Sequence, residues 1–165
     1  MAVDIEMRHV QPLDLPQISA LHARVFGPGR FTRTAYRIRE GTPDISDFCL
    51  KAVLDGRMVA AIRFTAVTVG GKSGALLLGP LAVEPEHAGK GYGRRLIAEG
   101  LELAKQAGVK LVLLVGDPPY YERFGFVRVT PGQITLPGPV DPARILGAAL
   151  QPSALAEFRG LIAGA

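Results

Sequence analysis

The stretch from Leu76 to Leu103 limits what this chain can fold into more than any other part of it. A continuous apolar run reaches Val83, Pro85 interrupts it, glycines stand at 89, 91 and 93, and apolar residues then recur with helical spacing. That is the order strand, loop, helix. Alternate glycines let a backbone come close to a ligand, and a helix starting among them turns unpaired N–H groups and its positive dipole end outward. Such a place suits a phosphate, and Lys90, Arg94 and Arg95 supply matching cations.

Two common nucleotide motifs do not fit the spacing. A dinucleotide fingerprint starting at Gly89 needs glycine at 94, and one starting at Gly91 needs it at 96; the chain has Arg94 and Leu96. A Walker loop ending at Lys90 needs glycine at 84 and Ser or Thr at 91, where Glu84 and Gly91 stand. Gly71-Lys72-Ser73 fails as well, because position 66 is alanine.

Around this centre the pattern predicts alternating elements. Residues 5–10 read as a strand, followed by a helix holding Ile18, Leu21, Val25 and Phe26, capped by Asp14 or the turn before it and stopped by Gly27-Pro28-Gly29. A short helix over 31–39 follows, and Arg30, Arg33, Arg37 and Arg39 read as its solvated face. Strands over 58–69 and 48–54 are joined by Asp55-Gly56, a hairpin signal, and Gly70 to Gly74 turns the chain into a strand over 75–83. The helix after the turn places Arg95, Glu99, Glu102 and Gln106 on one face and ends at Gly108. A buried strand over 110–115 completes a β-α-β unit with a parallel strand pair. Asp117 is placed to cap a helix of about two turns, with Pro118 at its first position and Gly125 as its stop. Residues 126–130 read as a strand, 133–136 as a short strand or extended loop, and 145–150 as a last antiparallel strand. The chain then turns back over 152–155.

At 165 residues, with 48% hydrophobic and 21% charged side chains, residues 1–165 form one domain with a real core. A net charge of +4 without a long basic run suits a small anionic ligand rather than a dedicated nucleic-acid surface. Cys49 stands alone, so no intrachain disulfide forms, and it reads as a buried strand residue. With no charged leader and no apolar run of the ~18 residues a membrane span needs, a cytoplasmic protein without a membrane partner is expected. His9, His22 and His87 lack neighbours at ligand spacing, which argues against a metal, and no G-x-S-x-G hydrolase elbow is present.

Two motifs together resemble the GCN5-related N-acetyltransferase (GNAT) family. One is the Gly-Lys-Gly-x-Gly turn, Gly89 to Gly93, after the fourth strand; the other is Tyr121, four residues before the glycine of the Gly125-Phe126 pair. The wording from Gly116 to Phe126 is similar to that of the bacterial YhbS-like subgroup. The resemblance spans residues 5–130, and the tail more loosely. It implies an α/β fold with a mixed sheet: antiparallel N-terminal strands, a central β-α-β unit whose parallel strands splay apart, and C-terminal antiparallel strands. It also implies acetyl-coenzyme A (acetyl-CoA) as cosubstrate and no metal. The pyrophosphate would sit on Ala88, Gly89, Lys90, Gly91, Tyr92, Gly93 and Arg94, and the pantetheine arm along the backbone of Leu81, Ala82 and Val83. The family pattern puts Gln or Arg where this chain has Ala88, which removes one polar side chain near the pyrophosphate.

The activity so implied is transfer of acetyl from the thioester directly to a primary amine of a small molecule or of a protein or peptide. Tyr121 matches the family's general acid, the alternative being that it only packs its helix, with Tyr120 as the neighbouring candidate. Glu84 is the candidate base, against a reading as a solvated cap; Asp117 is better explained as a helix cap, and His87 as an exposed loop residue. Two further functions stay open: an acyl-CoA-binding regulatory module without turnover, and an RNA-associated acetyltransferase or RNA-binding module. The resemblance also implies that the segment after the first helix, over 31–39, lines the acceptor site, the alternative to a solvated face, and its arginines point away from a polycationic acceptor. Monomer and homodimer are equally compatible with the pattern.

Overall fold

Glycine placement and β-branched runs decide where this chain extends and where it turns. The computed structural model describes residues 5–27 and 34–165. In chain order these form β1 (Ile5–His9), α1 (Leu15–Phe26), α2 (Thr34–Arg39), β2 (Leu50–Leu54), β3 (Arg57–Val69) and β4 (Lys72–Val83). After the glycine turn come α3 (Tyr92–Gln106), β5 (Leu111–Val115), α4 (Pro118–Tyr121), β6 (Val127–Arg128), β7 (Ile134–Thr135), β8 (Ile145–Ala149), α5 (Ala154–Glu157) and β9 (Gly160–Gly164). The main sheet runs β1-β2-β3-β4-β5-β8-β6. Every neighbouring pair along it is antiparallel except the parallel pair β4 and β5. This is the mixed α/β sheet expected above.

Both N-terminal hairpins turn on residues that tolerate positive φ. Asp55 and Gly56 have φ of 51° and 75°, and Gly70 and Gly71 have 57° and 83°, the primed-turn geometry that suits the twist of paired strands. The two sheet faces then follow from the period of two. Leu76, Leu78, Val112 and Leu114 face α3 together with Leu96, Ile97 and Phe64, whereas Leu77, Leu111 and Leu113 face Phe158, Ile162 and Ile38. A Cβ on Gly100 would fall 2.6 Å from Cζ of Phe64, so α3 lies directly on that ring.

The structure departs from the sequence reading at several points. Asp14 does not cap α1 with its side chain. It sits at the end of a 3₁₀ turn with helical backbone angles, φ −81° and ψ −16°, whereas a capping residue needs extended ones. Its carboxylate accepts from the Gln11 amide at 2.7 Å and from Lys51 Nζ at 2.8 Å, pinning that turn to β2. Of the helix expected over 31–39, the described part is α2, and positions 30–33 lie outside the described residues.

In the tail, β8 pairs antiparallel with β5 as expected, while 126–130 shortens to β6 and 133–136 contains β7. β9 was not legible in the sequence. It pairs antiparallel with β3 and parallel with β7. Glycines permit this docking: a Cβ on Gly160 would lie 2.8 Å from Cα of Gly70. Among the described residues, no helix is long and apolar enough to cross a membrane.

Candidate active site

The parallel strands separate where the sheet meets the glycine turn. β4 pairs with β5 only from Ala75↔Leu111 to Leu77↔Leu113. Beyond that point β5 stays with β8, through Leu114↔Leu146 and Val115↔Ile145, and β4 stays with β3, through Ile62↔Leu81 to Ala60↔Val83. Among the described residues, the β4 edge that faced β5 therefore has no strand partner over its last residues. A bulge assists the divergence: Gly79 and Pro80 together oppose Arg63, since Ile62 pairs with Leu81 and Phe64 with Leu78.

The turn lies at the outer end of this open edge. Gly91 has φ of 85° and immediately precedes α3, and no heavy atom lies within 4 Å of where a Cβ on Gly89 or Gly91 would stand. Both positions are open at the N-terminus of a 15-residue helix, whose first amides have no intrahelical acceptor. Gly93 faces inward instead: a Cβ there would meet Leu81 Cδ2 and Val83 Cγ2 at 3.5 Å and the Tyr120 hydroxyl at 3.7 Å. The residues singled out over 81–83 and 88–94 are thus brought together by close packing at Gly93. Ala88, Lys90 and Arg94 are exposed beside them.

His87 is not an exposed loop residue. Its side chain is 18% exposed, its ring centroid lies 6.2 Å from that of Tyr92, and Nδ1 is buried without a hydrogen-bond partner. Glu84 accepts an ion pair from Arg24 of α1.

On the inner side of the open edge lies a cleft of about 1080 Å³, walled by α1, α2, the β3–β4 bulge, the end of β5 and α4. Tyr120 and Tyr121 both line it, and Glu84 does not. Tyr121 lies against Gly116, where a Cβ would come 2.6 Å from Cε2, and edge-on to Tyr120 with centroids 4.8 Å apart. Burial first, then the neighbouring Tyr120 and Asp117, pushes its phenol up to about 12, with Arg144 opposing. Asp117 has the extended backbone of a cap, but its side chain makes no capping bond and lies 3.8 Å from Nε of Arg144; its carbonyl accepts from the amides of Tyr120 and Tyr121.

Cleft residues that the sequence reading passed over include Arg63 and Arg144, and His22, weighed there only as a metal ligand, lines the cleft as well. Arg63 carried a usable signal, an arginine inside an otherwise apolar strand. Arg37 and Arg39, read as a solvated face, also line the cleft, because α2 is held over it by Thr34 Oγ1 donating to the Pro139 carbonyl. No cluster of three or more His, Cys, Asp or Glu side chains suited to a metal occurs among the described residues.

A splayed parallel pair, an open glycine turn at a helix start and a tyrosine-walled cleft across the sheet define a transferase of the acetyltransferase type. Residues 15–126 match the acetyltransferase (GNAT) family, and the chain belongs to that family, within the N-acetyltransferases of the acyltransferase class. It is 33% identical over 117 residues to the uncharacterized N-acetyltransferase YhbS of Escherichia coli strain K12, covering 70% of this chain and 69% of that protein. YjhQ of the same strain, also an uncharacterized N-acetyltransferase, is 34% identical over 116 residues, covering 68% and 64%. The crystal structure of YhbS from Escherichia coli in complex with CoA superposes with a TM-score of 0.84 at 28% identity, over 100% of this chain and 92% of that one. A GNAT family acetyltransferase from Brucella melitensis in complex with acetyl-CoA gives 0.71 at 27%, over 98% and 96%.

Proposed function

We propose that this chain transfers an acetyl group from acetyl-CoA directly to a primary amine of a small molecule or peptide. The observation that carries the reading is the unpaired β4 edge, which leads from the tyrosine-walled cleft to the open turn at Gly89 and Gly91. The two superposed structures, solved with CoA and with acetyl-CoA, support the same choice of cosubstrate. The residues present fit it: Gly89 and Gly91 leave the turn open to a ligand, and the buried Nδ1 of His87 has no hydrogen-bond partner beside them. The backbone of Leu81, Ala82 and Val83 would bind the pantetheine amides. The amides from Gly89 to Arg94, with Lys90 and Arg94, would hold the pyrophosphate, and Ala88 leaves that task to the backbone.

When bound, acetyl-CoA supplies the thioester whose carbon–sulfur bond breaks as the amine nitrogen bonds to the acetyl carbon, one proton leaving the amine and one reaching the sulfur. Tyr121 is the group we assign beside the sulfur. With its phenol pushed up to about 12, it keeps its proton at neutral pH and donates a hydrogen bond there. Complete transfer to a thiolate of ordinary basicity, about 8.5, would be uphill by roughly 5 kcal/mol. Tyr121 therefore acts by donation while the bond breaks, and the proton released by the amine closes the balance. His22, an imidazole lining the cleft, is the side chain we assign to take that proton. Glu84, held by Arg24 outside the cleft lining, is the weaker candidate. We place the reaction in the bacterial cytoplasm, on the strength of the bacterial relatives.

Thiol release from acetyl-CoA over a panel of primary amines tests the assignment. Amine-dependent release above hydrolysis is expected. Acetyl-CoA binding without release for any amine would support the regulatory-module reading instead.

A further inference from the structure

We infer that the acceptor is a primary amine carrying a carboxylate one or two carbons from its nitrogen, recognised by Arg39 and Arg37. The inference rests on the acetyltransferase reading above and adds the substrate class. Its basis is where the guanidinium groups stand.

Among the described residues, Arg37, Arg39, Arg63 and Arg144 line the cleft, against the carboxylates Asp44, Asp117 and Asp141, and no glutamate or lysine joins them. All three carboxylates already have partners. Asp44 lies 3.9 Å from Arg63 Nη2, Asp117 lies 3.8 Å from Arg144 Nε, and Asp141 accepts from the Ala143 amide at 3.0 Å. Among the described residues no carboxylate pairs with Arg37, whose Nη1 donates only to the Pro137 carbonyl, at 3.4 Å. The cleft's described carboxylates are thus all engaged, and its arginines outnumber them. An ammonium group or polyamine would enter against like charge, whereas a carboxylate would meet the planar fork that binds it best.

Arg39 sets the distance. Its Nη2 lies 2.9 Å from where a Cβ on Gly79 would stand, so the glycine in the bulge leaves room for the guanidinium at the point where β4 and β5 part. That point is the inner end of the open edge, in the same cleft that Tyr121 lines and where acetyl transfer is proposed. An anionic group bound there has to lie close to the attacking nitrogen, which excludes long linkers between the two. Ile18, Phe26 and Val140 give the same cleft apolar surface for a modest side chain.

The test compares an α-amino acid, its carboxamide and its decarboxylated amine, all with one apolar side chain, by thiol release from acetyl-CoA. The carboxamide's amine, like a chain terminus, titrates near about 8 and is less basic than that of the acid, so basicity alone would favour the amide. The expected result is a kcat/KM about tenfold or more higher for the acid, since losing a hydrogen bond to a charged group costs that much. R39Q should remove the preference while acetyl-CoA affinity, measured in parallel, is kept. R39K should restore part of it, and R37E should shift preference toward the decarboxylated amine. Equal rates for acid and amide, or a preference surviving in R39Q, would overturn the inference. If none of the three is acetylated, binding of the acid to the CoA-loaded protein decides: no binding at millimolar concentration overturns the inference and leaves the cosubstrate assignment standing. Failure of the unmodified chain to bind acetyl-CoA removes both.

Discussion

Arg24, in the last turn of α1, grips the carboxylate of Glu84, the residue directly after β4. Its Nε lies 3.4 Å from the same carboxylate. The hydrogen bond to Glu84 raises the guanidinium above its already high range. It ties the N-terminal helix to the strand that leads into the turn, and holds the Glu84 carboxylate on Arg24 and outside the cleft lining. Glu84→Gln should therefore keep kcat/KM within about threefold, where loss of a true general base costs about 10² or more. A large loss together with a vanished acid limb in the rate profile would make Glu84 the base after all.

Tyr121→Phe should lower kcat by about 10² while acetyl-CoA affinity stays nearly constant, because the ring packing on Gly116 and Phe126 survives. Equal loss of turnover and affinity would reduce Tyr121 to a packing role. The same variant has a stability signature. Folding raises the phenol from 10.0 to about 12, so the neutral form is the one favoured by the fold. Its contribution is fully present below pH 10 and is lost as pH climbs toward 12, roughly 2 to 3 kcal/mol in all. Chemical denaturation between those limits should show a shallower alkaline decline for Tyr121→Phe than for the unmodified chain.

Two glycines of α3 and its approach should fail in opposite ways. Gly91→Ala meets no steric obstacle but has to hold φ of 85°, which costs about 1 kcal/mol and redirects the turn amides. Acetyl-CoA affinity should drop about tenfold with a small change in Tm. Gly100→Ala drives a methyl into the Phe64 ring and should cost about 1–3 kcal/mol of stability, seen as a Tm lowered by several degrees, with affinity intact in the folded fraction. Exchange of the two outcomes would mean that the turn is not the binding surface.

Asp14→Asn should weaken the fold most clearly on the acid side. Burial opposes the charged carboxyl, yet the bonds from Lys51 and the Gln11 amide outweigh it and hold Asp14 below its ordinary 3.8. A lowered value means stability that is present above the unfolded value and lost as pH falls through the folded one. The asparagine variant should be less stable at neutral pH and show a flatter acid limb in denaturation curves; an unchanged limb would mean that the pair contributes nothing.

Local signals carried much of this architecture. Asp55-Gly56 and Gly70-Gly71 announced their hairpins because few residues accept positive φ, and the apolar strands on either side of α3 announced the parallel pair. The turn was legible because glycine at 89, 91 and 93 has few other uses. What escaped was set by contacts distant in sequence. β9 is short and glycine-bounded, and only its docking on β3 makes it a strand. Asp14 looked like a cap until Lys51, 37 positions away, claimed its carboxylate. Arg37 and Arg39 looked solvated because nothing local shows that the segment at Pro137 to Pro139 anchors α2 beside the cleft.

Isothermal titration with acetyl-CoA, set beside S-acetylpantetheine, which lacks the pyrophosphate and nucleotide, tests the central claim most directly. Binding of one acetyl-CoA per chain in the micromolar range is predicted, weakening at least about tenfold for S-acetylpantetheine, since charge-assisted bonds to phosphate are lost. Equal affinity for the two would take the turn at Gly89 to Arg94 out of the site, and no binding of either would contradict the account altogether.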